Sequence, residues 1–294
     1  MNSENTVTAV VDLHVHSTRS DGTYSPEQLV NYAMEKGLFA FALTDHDTIA
    51  GIDEALQQAA LLKTQGLIPP RIIPGIELST EYLGRDVHIV GLAIHHKDPA
   101  FVKKLEEFVD SRETRNRKMC ALLNHAGVAI SYEELLASYL DSVITRAHFA
   151  DFLWKHHYVK SLPEAFDRYV GDRAPCFVPR QKVTPVQAIA LIRDAGGIAV
   201  LAHPVLYRMS DAALETLTAE CAAAGLTGLE VLYSSYSASE TRQMAALAAR
   251  HGLLPSGGSD FHGANKPGLD LGCGYGKLAV PRKVLEDLLA ERDL

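Results

Sequence analysis

Residues 7–16 read VTAVVDLHVH, a short apolar run ending in two alternate histidines. Residues 38–48 read LFAFALTDHDT and repeat the plan, with Asp45, His46 and Asp47 at the end. Between them SPEQLVNYAMEKG (25–37) carries Ser25 as N-cap, Pro26 at the first helical position and Gly37 as stop, the punctuation of a helix. Two buried strands joined by a helix predict an α/β chain with parallel strands.

The pattern extends outward. Thr48 is expected to cap a helix over IAGIDEALQQAALLKTQG (49–66); RIIPGIELS (71–79) and RDVHIVGLAI (85–94) read as strands. From about residue 98 to 182 the strand signal gives way to helices: SRETRNRKMCALLNHAG (111–127), YEELLASYL (132–140), RAHFADFLWKHH (146–157) and PEAFDRYV (163–170). Strand–helix alternation resumes at Thr184 with TPVQAIALIRDAGG, then IAVLAHP, GLEVLY, LLPSGGSD and a closing segment near Tyr275–Val280. The expected organisation is a closed or nearly closed barrel from residues 7–97 and 183–294, with a helical insertion over 98–182 forming a substrate-binding cap.

The 294 residues are 47% hydrophobic and 22% charged, enough apolar material for one sizeable core. No apolar run approaches the roughly 18 residues that span a bilayer, and the N-terminus lacks a signal-peptide pattern. Cys120, Cys176, Cys221 and Cys273 form no C-x-x-C motif and read as reduced thiols. A cytoplasmic protein without membrane contact is expected. The net charge of −8 argues against long duplex nucleic acid as a partner. The insertion is different: between Phe101 and Lys182, 13 Lys/Arg face 11 Asp/Glu, a net of +2 against −10 elsewhere. A small nucleotide or short oligonucleotide fits that distribution. Oligomeric state is not legible.

Almost every strand ends in a metal-ligand residue type: His14, His16 and the nearby Asp21, then His46, Glu77, His88, His203, Asp260 and His262. In alternating β/α barrels the loops at the strand C-termini gather on one face, which makes such residues neighbours. Each motif alone also fits a polar turn or surface residue. Together they would be costly to desolvate without partners. Imidazole plus carboxylate suits zinc, manganese, iron or cobalt. Nine ligands exceed what one ion with an open position takes, so two or three ions sharing a bridging carboxylate, with Glu77 as the bridge, is the economical reading. The remaining histidines apart from His148 read as solvated surface.

In this order, Asp-Leu-His14-Val-His16-Ser, Ser-Asp21-Gly, Thr-Asp-His46-Asp, Gly-Ile-Glu77, His88, Ala-His203-Pro and Ser-Asp260-Phe-His262 resemble the PHP (polymerase and histidinol phosphatase) superfamily. The insertion with Thr-Arg146-Ala-His148-Phe-Ala resembles its stand-alone bacterial branch, labelled TrpH or YciV. The resemblance implies a distorted (β/α)7 barrel and a trinuclear centre of divalent ions, manganese first, with zinc or iron as alternatives. It places His14, His16, Glu77 and Asp260 on one ion, Glu77, His88 and His203 on a second, and Asp21, His46 and His262 on a third. It implies a 3',5'-nucleoside bisphosphate phosphatase or a 5'-to-3' exoribonuclease acting on short oligonucleotides.

Metal ions lower the pKa of bound water toward ~7, supplying hydroxide to attack phosphorus, and clamp phosphoryl oxygens. No Walker-type loop or G-x-S-x-G elbow supports an NTPase or serine hydrolase. Asp47, His203 and His262 are the catalytic candidates. Arg146 and His148, two apart after Thr145, are expected to grip a second phosphate, because a guanidinium binds phosphate bidentately. Ser17, Arg19 and Lys182 are further candidates for that job. The run Arg112, Arg115, Arg117, Lys118 reads as a solvated helix face. Rival readings are a histidinol-phosphate phosphatase, a polymerase proofreading module and a non-catalytic metal-binding regulator.

Overall fold

The computed structural model describes residues 10–140, 142–172, 174–178 and 183–291, without the side chains of 108–112. Its strands are β1 (Val10–Val15), β2 (Ala40–Leu43), β3 (Arg71–Tyr82), β4 (Arg85–Leu92), β5 (Ile198–Leu201), β6 (Gly228–Tyr233), β7 (Leu254–Gly258) and β8 (Val280–Pro281). They form one sheet in the order β7-β6-β5-β4-β3-β2-β1-β8. Beyond β7 the chain turns back to β1, where His16 N–H donates to Phe261 O at 3.0 Å and Asp260 N–H to His14 O at 2.8 Å. These bonds bring the two ends of the sheet together, making a nearly closed barrel. The short β8 pairs antiparallel with the start of β1.

β1, β2 and β3 are mutually parallel, as are β5, β6 and β7. The expectation of a parallel sheet is corrected at β4, which runs antiparallel to both β3 and β5. The cause is local. Only Leu83 and Gly84 join β3 to β4, both at positive φ (51° and 76°), and a two-residue turn of that kind reverses a strand on itself. This reversal is what distorts the (β/α)7 plan.

Helices α1 (Pro26–Glu35) and α2 (Ile52–Thr64) cover one side of the barrel. α1 begins with a Ser25–Gln28 capping box, an arrangement that stabilises by about 1 kcal/mol. α2 starts after Gly51 rather than at Thr48, whose hydroxyl instead takes the N–H of Ala50 at 3.2 Å. α3 (Pro99–His125), α4 (Tyr132–Ser138), α5 (Arg146–Lys155) and α6 (Leu162–Ala165), with the π-turn Phe166–Val170, make up the helical stretch before α7 (Pro185–Asp194). α8 (Asp211–Ala223), α9 (Ala238–Arg250) and α10 (Arg282–Ala290) complete the outer layer; α10 follows the closing segment near Tyr275–Val280.

The helical stretch has its own core, built on Met119, Leu123, Leu135, Phe149, Phe152 and Leu153. Its loop is tied to the barrel mouth. Ser142 Oγ donates to Thr18 O at 2.6 Å and Val143 N–H to Arg19 O at 3.1 Å. Thr145 Oγ1 donates to Asp21 Oδ2 at 3.1 Å, so α5 begins at the strand C-termini.

Candidate metal centre

Three turns at the mouth place candidate residues with backbone in the left-handed region: Asp47 (φ 53°), His203 (φ 28°) and Asp260 (φ 56°). Each such residue costs about 1–3 kcal/mol unless the surroundings hold it. The holding contacts are visible. Asp47 N–H donates to Glu77 O at 3.0 Å and Asp47 Oδ1 accepts Ser79 N–H at 2.9 Å. His203 N–H donates to Glu230 Oε2 at 2.6 Å.

Glu77 is the hub. Its Oε2 lies 3.2 Å from His14 Nε2, His16 Nε2 and His46 Nδ1. Its Oε1 lies 2.9 Å from His88 Nδ1 and 3.0 Å from His203 Nε2. The sixth histidine, His262, puts Nε2 3.1 Å from Asp21 Oδ1 and stacks on His16 with ring centroids 4.1 Å apart. Asp260 Oδ1 reaches His16 Nε2 at 3.3 Å and His14 Nε2 at 3.7 Å. All nine residues therefore meet at one place.

Donor atoms close enough to share an ion fall into four overlapping groups: His14/His16/Glu77, His46/Glu77/His88, His16/Asp21/His46/His262 and His14/His203/Asp260. Compared with the sets drawn from the family resemblance, His16 also joins the Asp21 group and His203 also lies with His14 and Asp260. A divalent ion fits this donor set. His14 Nε2, His16 Nε2, Asp21 Oδ1, His46 Nδ1 and His203 Nδ1 are buried and make no hydrogen bond, a costly state that a bound cation relieves.

The electrostatics are those of a cation site. Burial opposes ionisation of Glu77, Asp21 and Asp260, yet all three are held well below the usual carboxylate range. For Glu77 the cause is His14, His46 and His88; for Asp260 it is Lys266 first, then His14 and His262. Burial also opposes protonation of His14 and His16, but the surrounding carboxylates outweigh it, raising His14 well above normal and His16 to about 9. His46 is pushed well below its usual value, first by burial and then by His16 and His88.

A shell of residues that the sequence reading passed over orients these ligands. Glu230 Oε1 accepts from His14 Nδ1 at 3.0 Å. Buried Asp12 accepts from Ser259 N, Ser259 Oγ and Gly272 N, clamping the loop after β7 to β1. Tyr233 OH donates to Asp260 Oδ2 at 2.6 Å, and Lys266 Nζ donates to the same oxygen. A lone acid inside an apolar run, as in VVDLHV and GLEVLY, was the available signal for Asp12 and Glu230. Tyr233 and Lys266 had none.

The substrate candidates separate. Ser17 is fully buried and its hydroxyl donates to Asp45 Oδ2 at 2.6 Å, while Arg19 pairs with Glu54 at 2.8 Å. Both side chains are thus engaged within the protein, where they stabilise the loop. Asp45 also takes Ser20 Oγ at 2.6 Å, so it organises the loop carrying Asp21. Lys182 and the side chain of Arg112 lie outside the described residues. Arg115 is buried rather than solvated; Arg117 is exposed and pairs with Glu113 and Glu133.

Arg146 lines a cavity of about 180 Å³ together with Asp21, His46, His88 and Arg115. Its guanidinium pairs with Asp86 and Asp172, each at 2.7 Å, over the ring of Phe177. His148 caps its own helix: Thr145 N–H donates to His148 Nδ1 at 3.0 Å. Its ring packs on Tyr139 and borders a larger cleft of about 1220 Å³ that opens onto His46, Glu77, His203 and Asp260. Among the described residues no helix is long and apolar enough to cross a membrane.

The PHP domain family matches residues 12–169. A 3',5'-nucleoside bisphosphate phosphatase of Chromobacterium violaceum is 37% identical over 90% of this chain and 91% of its own. The 5'-3' exoribonuclease Rnm of Salmonella typhimurium is 36% identical over 88% of this chain and 87% of its own. Among solved structures, an amidohydrolase from Chromobacterium violaceum with bound sulfate and no metal superposes with a TM-score of 0.83, at 36% identity and 96% coverage of both chains.

Proposed function

We propose that this chain, which belongs to the PHP domain family, is a metal-dependent phosphoesterase of nucleotides. Its substrates are 3',5'-nucleoside bisphosphates, the compounds named for the Chromobacterium relative, and the 5' ends of short oligonucleotides, in keeping with the 5'-3' exoribonuclease named for Salmonella. The observation that carries the reading is Glu77, a single buried carboxylate within 3.2 Å of five imidazole nitrogens.

The same reading takes His14, His16, Asp21, His46, Glu77, His88, His203, Asp260 and His262 as ligands of three divalent ions, manganese first, with zinc or iron as alternatives. Bound there, such ions lower the pKa of water toward ~7 and neutralise charge on phosphoryl oxygens. The protein's own part is orientation. His262 Nδ1 donates to Asp260 O at 2.9 Å, leaving Nε2 to face the cluster. Asp47 holds β3 in register behind Glu77 and so acts by positioning. Arg146 and Arg115 bring positive charge to the cavity beside the cluster; a dianionic phosphate there competes with Asp172 for the Arg146 guanidinium. Residues 98–182 serve as the cap over the barrel of residues 7–97 and 183–294. The four cysteines are free, in keeping with a cytoplasmic protein.

The test compares three substrates with the manganese-loaded protein: adenosine 3',5'-bisphosphate, a 5'-phosphorylated RNA pentamer and histidinol phosphate. Turnover of the first two with the third untouched is expected. Preference for histidinol phosphate would keep the metal centre and discard the nucleotide assignment.

A further inference from the structure

The larger cleft is longer than the reaction needs. At about 1220 Å³ it exceeds the roughly 300–1,000 Å³ of a typical small-ligand pocket, and it runs from the metal cluster along one face of α5. Ala147, Ala150, Asp151 and Trp154 line it at the i, i+3, i+4, i+7 spacing of a single helical stripe. Trp154 is the chain's one tryptophan and is 46% exposed, although the indole is the largest apolar side chain available to a core. Among the described residues it has no aromatic partner, whereas neighbouring Tyr139 is occupied by the ring of His148 and by Asp151. Exposed Lys155 and Lys160 line the same cleft, Lys155 with its ammonium 2.7 Å from Asp151 Oδ2.

We propose that Trp154 is a base-stacking subsite for the downstream part of a single-stranded oligonucleotide whose 5' end lies at the metal cluster. This deepens the nucleotide reading above and rests on it. An indole stacks on any base, because every base has a π-face, and lysines lining the cleft meet backbone phosphates without reading sequence. The ruler is helical. Thr145 is bonded to Asp21 at the cluster, and Trp154 is eight residues beyond Arg146, about 12 Å along the axis at 1.5 Å per residue. That is the reach of about three nucleotides at the ~3.4 Å rise of a stacked strand. A mononucleotide bisphosphate at the cluster ends short of it.

The single tryptophan makes the test direct. The manganese-loaded protein is titrated with a 5'-phosphorylated RNA pentamer carrying phosphorothioate linkages, and with adenosine 3',5'-bisphosphate, while indole fluorescence is followed. The pentamer is expected to quench Trp154 and the bisphosphate to leave it unchanged. Trp154→Ala is expected to lower kcat/KM for the hydrolysable pentamer, relative to that for the bisphosphate, on the order of tenfold. Trp154→Phe should recover part of the loss. Unquenched fluorescence with a pentamer that is nonetheless hydrolysed, or equal losses on both substrates, would overturn the subsite. If the unaltered protein hydrolyses neither compound, the nucleotide reading itself falls and the subsite goes with it.

Discussion

Glu230 fixes the ring of His14: its Oε1 sits 3.0 Å from His14 Nδ1, leaving Nε2 turned toward Glu77. The other oxygen takes the N–H of His203, so one carboxylate sets two of the candidate ligands. Glu230→Gln keeps the shape and removes the charge that favours an Nδ1–H tautomer. Partners of this kind typically contribute 10- to 100-fold in metal affinity, and a loss of that size is expected by competition with a chelating dye. Unchanged affinity would show that His14 needs no orienting partner.

Arg146 should discriminate between substrates. Hydrogen bonds to a charged group contribute about 1.5–3 kcal/mol, so Arg146→Ala should reduce kcat/KM for adenosine 3',5'-bisphosphate roughly 10- to 150-fold. An aryl phosphate, which lacks the second phosphate, should be affected far less. Equal losses would mean that the pairing with Asp86 and Asp172 is purely structural.

Metal loading should release protons. Without ions, burial opposes protonation of His16, but Asp260 and Glu77 raise its pKa to about 9. A raised folded-state pKa gives the ion-free protein stability that is complete below the unfolded value of about 6.5 and lost as pH rises through about 9. An ion binding His16 must displace that proton, so apparent affinity should rise with pH across this window. Calorimetry at pH 7 in buffers of different ionisation enthalpy should show net proton release; none would contradict the protonated state assigned to His16.

At Gly258 the backbone of β7 lies close against β1. A Cβ built there would stand 2.4 Å from His14 Cβ and 2.5 Å from His14 N, atoms that cannot yield without moving the strand. Gly258→Ala should destabilise the fold by about 3 kcal/mol, the upper part of the range for overpacked cores, measured by urea unfolding. A change below about 1 kcal/mol would show that β1 and β7 can separate freely.

What could be read from the sequence follows the physics of each part. The nine candidate ligands stood out because titratable residues after apolar strands need partners, and strand ends converge in a barrel of this type. The partners of Ser17 and Arg19 are not legible locally, because proximity to His16 in the chain says nothing about side-chain direction; Asp45 and Glu54 engage them. The polar run around Arg115 does not reveal that this side chain is buried at the cavity beside His46. Tyr233 meets Asp260 because β6 and β7 pair in parallel, and Lys266 because the loop after β7 folds back on itself, relations that no strand or helix periodicity encodes. The reversal at β4 follows from a β3 that runs three residues beyond the RIIPGIELS stretch, to Tyr82, leaving only Leu83-Gly84 as a connection, too short for anything but a hairpin.

The central claim, that phosphoester hydrolysis depends on ions held at Glu77 and its surrounding histidines, is tested most directly by removing the ions. The protein is stripped with a chelator, then titrated with manganese while bound metal per chain and release of phosphate from adenosine 3',5'-bisphosphate are followed together. Activity should vanish on stripping and return as the sites fill, reaching its limit near three ions per chain. Full turnover by the stripped protein would contradict the account.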